Sequence, residues 1–207
     1  MIPAKKNSLI HWFFHRYINY IVKKNFHRVN FNTVEVDKQR SILLIANHFS
    51  WWDAFILYYL NSKLFKKRFH IMVLEDTVRN ISFIKYMGAF SVAKNSKDIM
   101  ASLNYAAELL HNARNLVVIF PQGKLYSNFV DDVSFEKGVL NIIGKAKENM
   151  RIIFAATFIE HLQYKKPGVS VYLNKHSSNH FANIDELQQA YRQHYYFAKQ
   201  QQTQIVI

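Results

Sequence analysis

The feature that most constrains the fold is a set of short apolar runs that alternate with segments of helical periodicity. Runs of this length suit strands that are buried on both faces. Strands that alternate with helices produce a largely parallel sheet with helices on both faces. We therefore predict an α/β fold with a mostly parallel central sheet. The predicted strands cover residues 41–46, 69–74, 116–120, 151–159 and 169–173, and the predicted helices 53–60, 81–86, 96–112, 137–148 and 183–200.

The first part of the chain has a different pattern. In residues 8–24, apolar and aromatic side chains recur at mostly helical spacing, and the polar positions carry His11, His15 and several cations but no acid. A basic amphipathic helix of this kind can lie in the headgroup region of an anionic bilayer. The alternative is a helix that packs on the protein's own core. We expect residues 1–28 to form an amphipathic helix at a membrane surface and residues 29–207 to form the main domain.

The composition limits the possible partners. Lys and Arg number 27 against 14 acidic residues, a net charge of +13, which favours a nucleic acid, an anionic membrane surface or a phosphorylated molecule as partner. The absence of Cys excludes disulfides, thiolate zinc sites and a cysteine nucleophile. No apolar run approaches the roughly 20 residues that cross a bilayer, so we expect no spanning helix. His11 and His15 lack a nearby carboxylate, and we expect surface histidines there and no metal site.

A polar motif follows the first predicted strand. Asn47 and His48 come directly after it, and Asp53 stands five residues beyond the histidine. If a helix begins near Ser50, the carboxylate can fold back onto the imidazole. A carboxylate on one ring nitrogen fixes the tautomer and leaves the other nitrogen free to take a proton. The spacing therefore fits a general base with its orienting acid, or else a capping Asp beside an ordinary loop His.

A second motif follows the strand at 116–120. Pro121, Gln122 and Gly123 form a turn signal, and Lys124 adds a cation. Such a turn can expose backbone amides that bind an anion, or it can be an ordinary turn.

In this order the two motifs resemble the lysophosphatidic acid acyltransferase-like family of glycerolipid acyltransferases. That family carries Asn-His-x-x-x-x-Asp after one strand and Phe-Pro-Glu-Gly-Thr-Arg after a later one. The first motif is intact here as Asn47, His48 and Asp53, and the interval of about 70 residues to the second is typical of the family. Glu75, residues 88–92 and residues 135–138 resemble further family blocks, so the resemblance covers residues 38–160.

The resemblance implies a fold similar to glycerol-3-phosphate acyltransferase, with residues 29–207 as the acyltransferase domain. It implies that His48, oriented by Asp53, deprotonates an acceptor hydroxyl that attacks an acyl thioester. The donor would be acyl-coenzyme A or acyl carrier protein, so coenzyme A is a substrate and no cofactor or metal is expected. The acceptor would be a lipid or glycolipid, and the enzyme would lie on the cytoplasmic face of the inner membrane. The substrate-binding residues implied are Asn47, Lys94, Pro121, Gln122, Gly123 and Lys124.

The sequence also departs from the family pattern. Gln122 replaces the family Glu, and Lys124-Leu125 replaces Thr-Arg, so the Arg expected to bind the acceptor's phosphate is missing. Lysine binds phosphate as a point charge without the bidentate geometry of Arg. Either Lys124 and Lys94 hold a phosphate from other positions, or the acceptor is a sugar, a carotenoid glycoside or another lipid hydroxyl. A third hypothesis is that Gln122 marks an inactive enzyme.

The rival function class is a non-catalytic basic protein that binds nucleic acid or an anionic membrane. The charge and the aromatic residues are compatible with base stacking. However, the sequence contains no recognised nucleic-acid motif, and its aromatic residues lie within apolar runs. We therefore expect no nucleic-acid partner.

Overall fold

The computed structural model describes residues 1–92, 96–146 and 149–207. Within these residues, seven strands form one sheet in the order β1-β7-β6-β2-β5-β3-β4. Every neighbouring pair is parallel except β6 and β7, so β1 and β7 run opposite to the other five strands. The strands are β1 (Arg28–Phe31), β2 (Ser41–Ala46), β3 (Arg68–Leu74), β4 (Ala89–Val92), β5 (Asn115–Ile119), β6 (Met150–Glu160) and β7 (Gly168–Lys175).

Helices cover both faces of this sheet. On one face α1, α2 and the 3₁₀ helix pack against Ile42 and Leu44 of β2, and on the other α4, α5 and α6 pack on the side of Leu43 and Ile45. The predicted fold class is therefore confirmed. The helices are α1 (Ser8–Asn25), α2 (Asp53–Lys63), α3 (Glu75–Asn80), the 3₁₀ helix (Ser82–Met87), α4 (Ser96–Leu110), α5 (Gly138–Ala146) and α6 (Ile184–Thr203).

The sequence patterns did not predict two of the strands. β1 and β4 have four residues each, which is too short for a periodicity to be recognised. They occupy the two edges of the sheet, where a strand is paired on one side only. The predicted end of the helix at 137–148 lies outside the described residues, because α5 is described to Ala146.

Helix α1 contacts both the core and solvent. Asn7 caps its first turn by accepting a hydrogen bond from the Ile10 amide (3.0 Å), and Ile18 and Val22 are buried against the core. On the outer side lies an exposed row of large apolar side chains, here called the exposed aromatic stripe. It consists of four aromatic residues and one leucine: Trp12, Phe13, Tyr17, Tyr20 and Leu9. The stripe also holds cations, since Arg16 lies over the Trp12 ring and Lys24 over the Tyr20 ring.

The prediction of surface histidines on α1 agrees with His11, which is exposed, and only partly with His15, which is half-buried. Both histidines lie toward α2, and His15 Nδ1 is 2.9 Å from the Tyr58 hydroxyl. Burial lowers the pKa of His15, and neighbouring His11, Lys63 and Arg16 lower it further. Among the described residues, no helix is both long and apolar enough to span a membrane.

Candidate active site

Both sequence motifs lie at the carboxyl end of the sheet. β2 and β5 are direct neighbours, with Ile45 paired to Ile119. The loop after β2, which carries His48, therefore runs beside the loop after β5, which carries Pro121 and Gln122. Ligand sites of open α/β sheets form in this position, outside the carboxyl ends of the strands.

The predicted pairing of His48 with Asp53 is present. Asp53 begins α2, and its Oδ2 atom lies 2.9 Å from His48 Nδ1. The same oxygen accepts hydrogen bonds from the amides of Phe49 (2.7 Å) and Ser50 (2.8 Å). An ionised carboxylate only accepts hydrogen bonds, so a neutral imidazole facing it carries its proton on Nδ1 and has a free lone pair on Nε2.

The burial of the two partners differs in a way that suits a base and its orienting acid. The Asp53 side chain is 1% exposed, whereas that of His48 is 26% exposed. A buried carboxylate at the start of a helix is stabilised by the helix dipole and by the two amides that it binds. Asp53 can therefore orient the imidazole from the protein interior while part of the His48 side chain is accessible to solvent.

Gln122 has a contact that the sequence did not predict. Its side chain is 2% exposed, and its Oε1 atom accepts a hydrogen bond from the His48 amide at 2.5 Å. The Tyr126 amide in turn donates to the His48 carbonyl (3.0 Å), and the Phe120 ring stacks on the imidazole at 4.3 Å between centroids. The second motif thus fixes both the backbone and the ring plane of His48.

Asn47 connects β2 to β6. Its Oδ1 atom accepts a hydrogen bond from the Thr157 amide (2.7 Å), and its Nδ2 donates to the Thr157 carbonyl (2.9 Å). The hydroxyl of Tyr191, in α6, lies 3.4 Å from the same Oδ1 and donates to the Ala155 carbonyl at 2.8 Å. Asn47 is completely buried, so its side chain anchors the turn that carries His48.

The comparisons with known proteins agree with this geometry. The Acyltransferase family model matches residues 18–167. The chain belongs to the acyltransferase family. Its fold is similar to the crystal structure of the 1-acyl-sn-glycerophosphate (LPA) acyltransferase PlsC from Thermotoga maritima, with a TM-score of 0.65 and 18% identity over 95% of this chain and 83% of that chain. A comparison with curated protein sequences gives no significant match.

The family prediction and the prediction of an enzyme are thereby confirmed: this chain is an acyltransferase. The roles that the resemblance implies for individual residues stay predictions. Pro121 and Gln122 of this acyltransferase are buried, while Gly123 and Lys124 are exposed at the loop. Lys94, the sixth implied substrate-binding residue, lies outside the described residues.

In the turn at Gly123, some backbone N–H and C=O groups already form hydrogen bonds within the protein. Gly123 adopts a left-handed conformation (φ +66°), and its amide donates to the Phe120 carbonyl at 3.2 Å. The Glu136 amide donates to the Pro121 carbonyl at 2.8 Å. The Gly123 amide therefore closes the turn itself, and the Lys124 ammonium lies over the Tyr126 ring at 5.4 Å, beside the loop that holds His48.

Exposed apolar side chains flank the catalytic loop. Trp51 is exposed three residues after His48, and Leu125 is exposed next to the Tyr126 contact. Trp51 packs on Trp52, which in turn packs on the buried Phe26 at the end of α1. In the described part of the chain, no group of three or more His, Asp or Glu side chains could hold a metal ion.

Proposed function

We propose that this acyltransferase moves a fatty acyl group from an acyl thioester to a hydroxyl of a lipid acceptor, with His48 as the general base. The observation that carries the proposal is the contact between His48 Nδ1 and the buried Asp53 carboxylate, an arrangement in which Nε2 of a neutral imidazole is free to take a proton. The thioester is supplied by coenzyme A or by acyl carrier protein.

The proposed reaction has two steps. Nε2 of His48 takes the proton of the acceptor hydroxyl, and the oxygen forms a bond to the thioester carbonyl carbon. The carbon–sulfur bond then breaks, and the leaving thiolate receives that proton from the imidazolium. Asp53 stabilises the imidazolium between the two steps, and general-base catalysis of this kind contributes about 10²–10⁴-fold to the rate.

The residues around the turn support a proposal for the acceptor. The structural relative PlsC is named for a phosphate-bearing acceptor, 1-acyl-sn-glycerophosphate. In this chain Lys124 stands where the family motif has Thr, and Leu125 where it has Arg. We propose an acceptor that offers a hydroxyl without requiring a bidentate phosphate contact, such as a sugar or another lipid alcohol.

We further propose that the enzyme attaches peripherally to the cytoplasmic face of the inner membrane through α1. The exposed aromatic stripe presents large apolar side chains beside Arg16 and Lys24. Aromatic rings at the headgroup level and cations near anionic lipids both favour interfacial binding. Exposed Trp51 and Leu125, which flank the His48 loop, would add apolar contacts with the bilayer.

Acyl transfer is tested by incubating the protein with radiolabelled acyl-coenzyme A or acyl carrier protein and a panel of phosphorylated and unphosphorylated lipid alcohols. We expect transfer with at least one donor, preferably to an unphosphorylated acceptor, and its loss in His48→Ala. His180→Ala is the matched control, because His180 is exposed in the segment after β7, at the other end of the sheet. Full activity of His48→Ala would disprove the assigned base.

Membrane attachment is tested by flotation with vesicles that contain phosphatidylglycerol. Trp12→Ser with Phe13→Ser should weaken binding, because both rings are exposed on α1. Tyr196→Ser with Phe197→Ser removes two equally exposed rings from α6 and should change nothing. Equal flotation of both double variants would show that attachment lies elsewhere.

A further inference from the structure

A second concave site lies at the end of the sheet opposite to His48. A cavity of about 890 Å³, here called the amino-end pocket, is lined by the first residues of β3 and β5, Arg68 and Asn115. Its other walls come from the segment before α1, the start of α1, the end of α2 and the last turns of α4. None of the residues assigned to acyl transfer lines it.

The charge of this lining is strongly unbalanced. The basic residues are Lys5, Lys6, Lys66, Lys67 and Arg68, joined by His11, His15 and His70, while Glu108 is the one acid in the lining. Lys67 donates to the carbonyls of Arg40 (2.9 Å) and Ala113 (2.7 Å) and so has a structural role. Within the described residues, the other four cations form no ion pair. A concave surface with one sign of charge concentrates ligands of the opposite sign.

The start of α1 adds to this positive potential. Asn7 and Ser8, the cap and the first residue of the helix, line the pocket, and the first turn contains no acid. An 18-residue helix presents a partial positive charge and free amides at its N-terminus, both of which favour an anion.

Two neighbouring polar side chains, Asn115 and His70, line the inner part of the pocket. Asn115 is 5% exposed, and its Nδ2 donates to the Leu109 carbonyl at 2.7 Å. Burial lowers the pKa of His70 to about 4; the interaction with the Asn115 side chain raises it, and Lys6 and Arg68 lower it further. These two side chains therefore add polar groups to a lining whose charges are mostly positive.

The N-terminal segment is held in place over the pocket. Ser91 of β4 donates its amide to the Ile2 carbonyl (2.9 Å) and accepts a hydrogen bond from the Ile2 amide on its Oγ (2.6 Å). The Lys5 amide donates to the Lys85 carbonyl at 2.9 Å. These contacts fix the backbone that carries Lys5 and Lys6, so both cations border the cavity without a large ordering cost on binding.

We propose that the amino-end pocket binds a phosphate group carried by a larger molecule, at a site separate from the acyl-transfer centre. The cavity is far larger than a phosphate ion, and Tyr58, Phe69 and Tyr105 give it apolar and aromatic walls. The ligand is thus a phosphate ester with a less polar part, and its source is either a phospholipid headgroup or a soluble phosphate ester. The proposal does not depend on the chemistry assigned to His48.

The test compares two double variants that remove the same charge. Lys66→Gln with Arg68→Gln removes two exposed cations from the pocket, and Lys165→Gln with Lys166→Gln removes two exposed cations from the β6–β7 loop at the other end of the sheet. Binding is measured by calorimetry with glycerol 3-phosphate and by flotation with phosphatidylcholine vesicles that contain phosphatidylglycerol. We expect the pocket variant to lose about tenfold in affinity for at least one probe and the control to stay near wild type.

The pattern of loss identifies the source of the phosphate. A selective loss with glycerol 3-phosphate indicates a soluble ester, and a selective loss with vesicles indicates a lipid headgroup. Equal behaviour of the two double variants with both probes would overturn the proposal, as would the absence of saturable binding to either. His48→Ala should keep the binding that the pocket variant loses, so failure of this proposal and failure of the proposed catalysis give different results.

Discussion

At the carboxyl end of the sheet the His48 imidazole faces a buried carboxylate, whereas at the amino end the basic side chains around the amino-end pocket face a single acid. In the first arrangement the charged groups face each other, since Asp53 Oδ2 accepts hydrogen bonds from the His48 ring and from two amides. In the second, four of the five Lys and Arg side chains form no ion pair with the described residues. The net charge of +13 is therefore a guide to binding surfaces, and the motif spacing is a guide to the chemistry.

The largest effect is expected from Asp53→Asn, which tests whether the site at the carboxyl end depends on the contact between His48 and Asp53. The amide oxygen can still accept from Phe49 and Ser50, but the negative charge that stabilises the imidazolium is gone. We expect turnover to fall by about 10²–10⁴-fold while the melting temperature changes little.

The control for Asp53→Asn is a double-mutant cycle with His48→Ala. If Asp53 acts through the imidazole, the double variant should be no slower than His48→Ala alone. A further loss of the same size in the double variant would mean that Asp53 has a separate role. The salt dependence of turnover should also be small, because buried pairs are weakly screened.

The next-largest effect is expected on stability when Gly88 or Gly123 is replaced. Both have a left-handed backbone conformation, and they lie at opposite ends of the sheet. A Cβ at Gly88 would lie 1.8 Å from the Phe69 carbonyl oxygen, so Gly88→Ala should lower the free energy of unfolding by about 3 kcal/mol or more. A Cβ at Gly123 would meet Glu136 Cγ at 3.4 Å, an ordinary contact, so Gly123→Ala should cost only about 1 kcal/mol. Chemical denaturation of both variants measures the difference, and equal costs would contradict the close backbone approach at Gly88.

The sequence predicted the elements whose signal is local. β2 and β5 are runs of consecutive apolar residues, and both are buried along their whole length. The spacing from His48 to Asp53 also sufficed to predict their contact, because both residues belong to one turn that leads into a helix. The four-residue strands β1 and β4 offer no such periodicity, and they form only because longer neighbouring strands provide hydrogen-bonding partners.

Contacts between distant segments were beyond the sequence patterns. Tyr191 reaches Asn47 from 144 residues away, and Gln122 reaches the His48 amide from 74 residues away. Nothing in the local sequence distinguishes a buried Gln that positions a base from an exposed Gln that binds substrate. The contact between His15 and the Tyr58 hydroxyl was beyond the sequence patterns for the same reason, because 43 residues separate the two.

A smaller effect is expected at Gln122, where the catalytic loop depends on a neutral side chain. Gln122→Leu removes the acceptor for the buried His48 amide and should cost about 1–3 kcal/mol in the free energy of unfolding. Gln122→Glu keeps an acceptor oxygen and should stay folded, with a change in acceptor preference that exceeds any change in donor use.

Denaturation curves and kinetics with varied donor and acceptor measure both Gln122 variants. Gln201→Leu, an exposed position in α6, is the control for a general effect of replacing Gln by Leu. If Gln122→Leu were as stable as this control, the hydrogen bond from the His48 amide to Gln122 would contribute nothing measurable to the free energy of unfolding. If Gln122→Glu changed only the kinetics measured with varied acyl donor, the turn would contact the thioester and not the acceptor.

The smallest expected effect is on the pH dependence of stability, and it comes from His194, a buried histidine without a carboxylate partner. His194 lies in α6 with its Nε2 3.0 Å from the Tyr172 carbonyl, and burial lowers its pKa to about 4. The unfolded chain binds this proton near pH 6.5, so stability falls as the pH drops from about 6.5 toward 4. Between pH 7.5 and 5.5, wild type should lose about 1 kcal/mol more than His194→Gln, whose amide can still donate to Tyr172. Parallel curves for the two proteins would mean that the folded state accommodates a charged imidazole at this position.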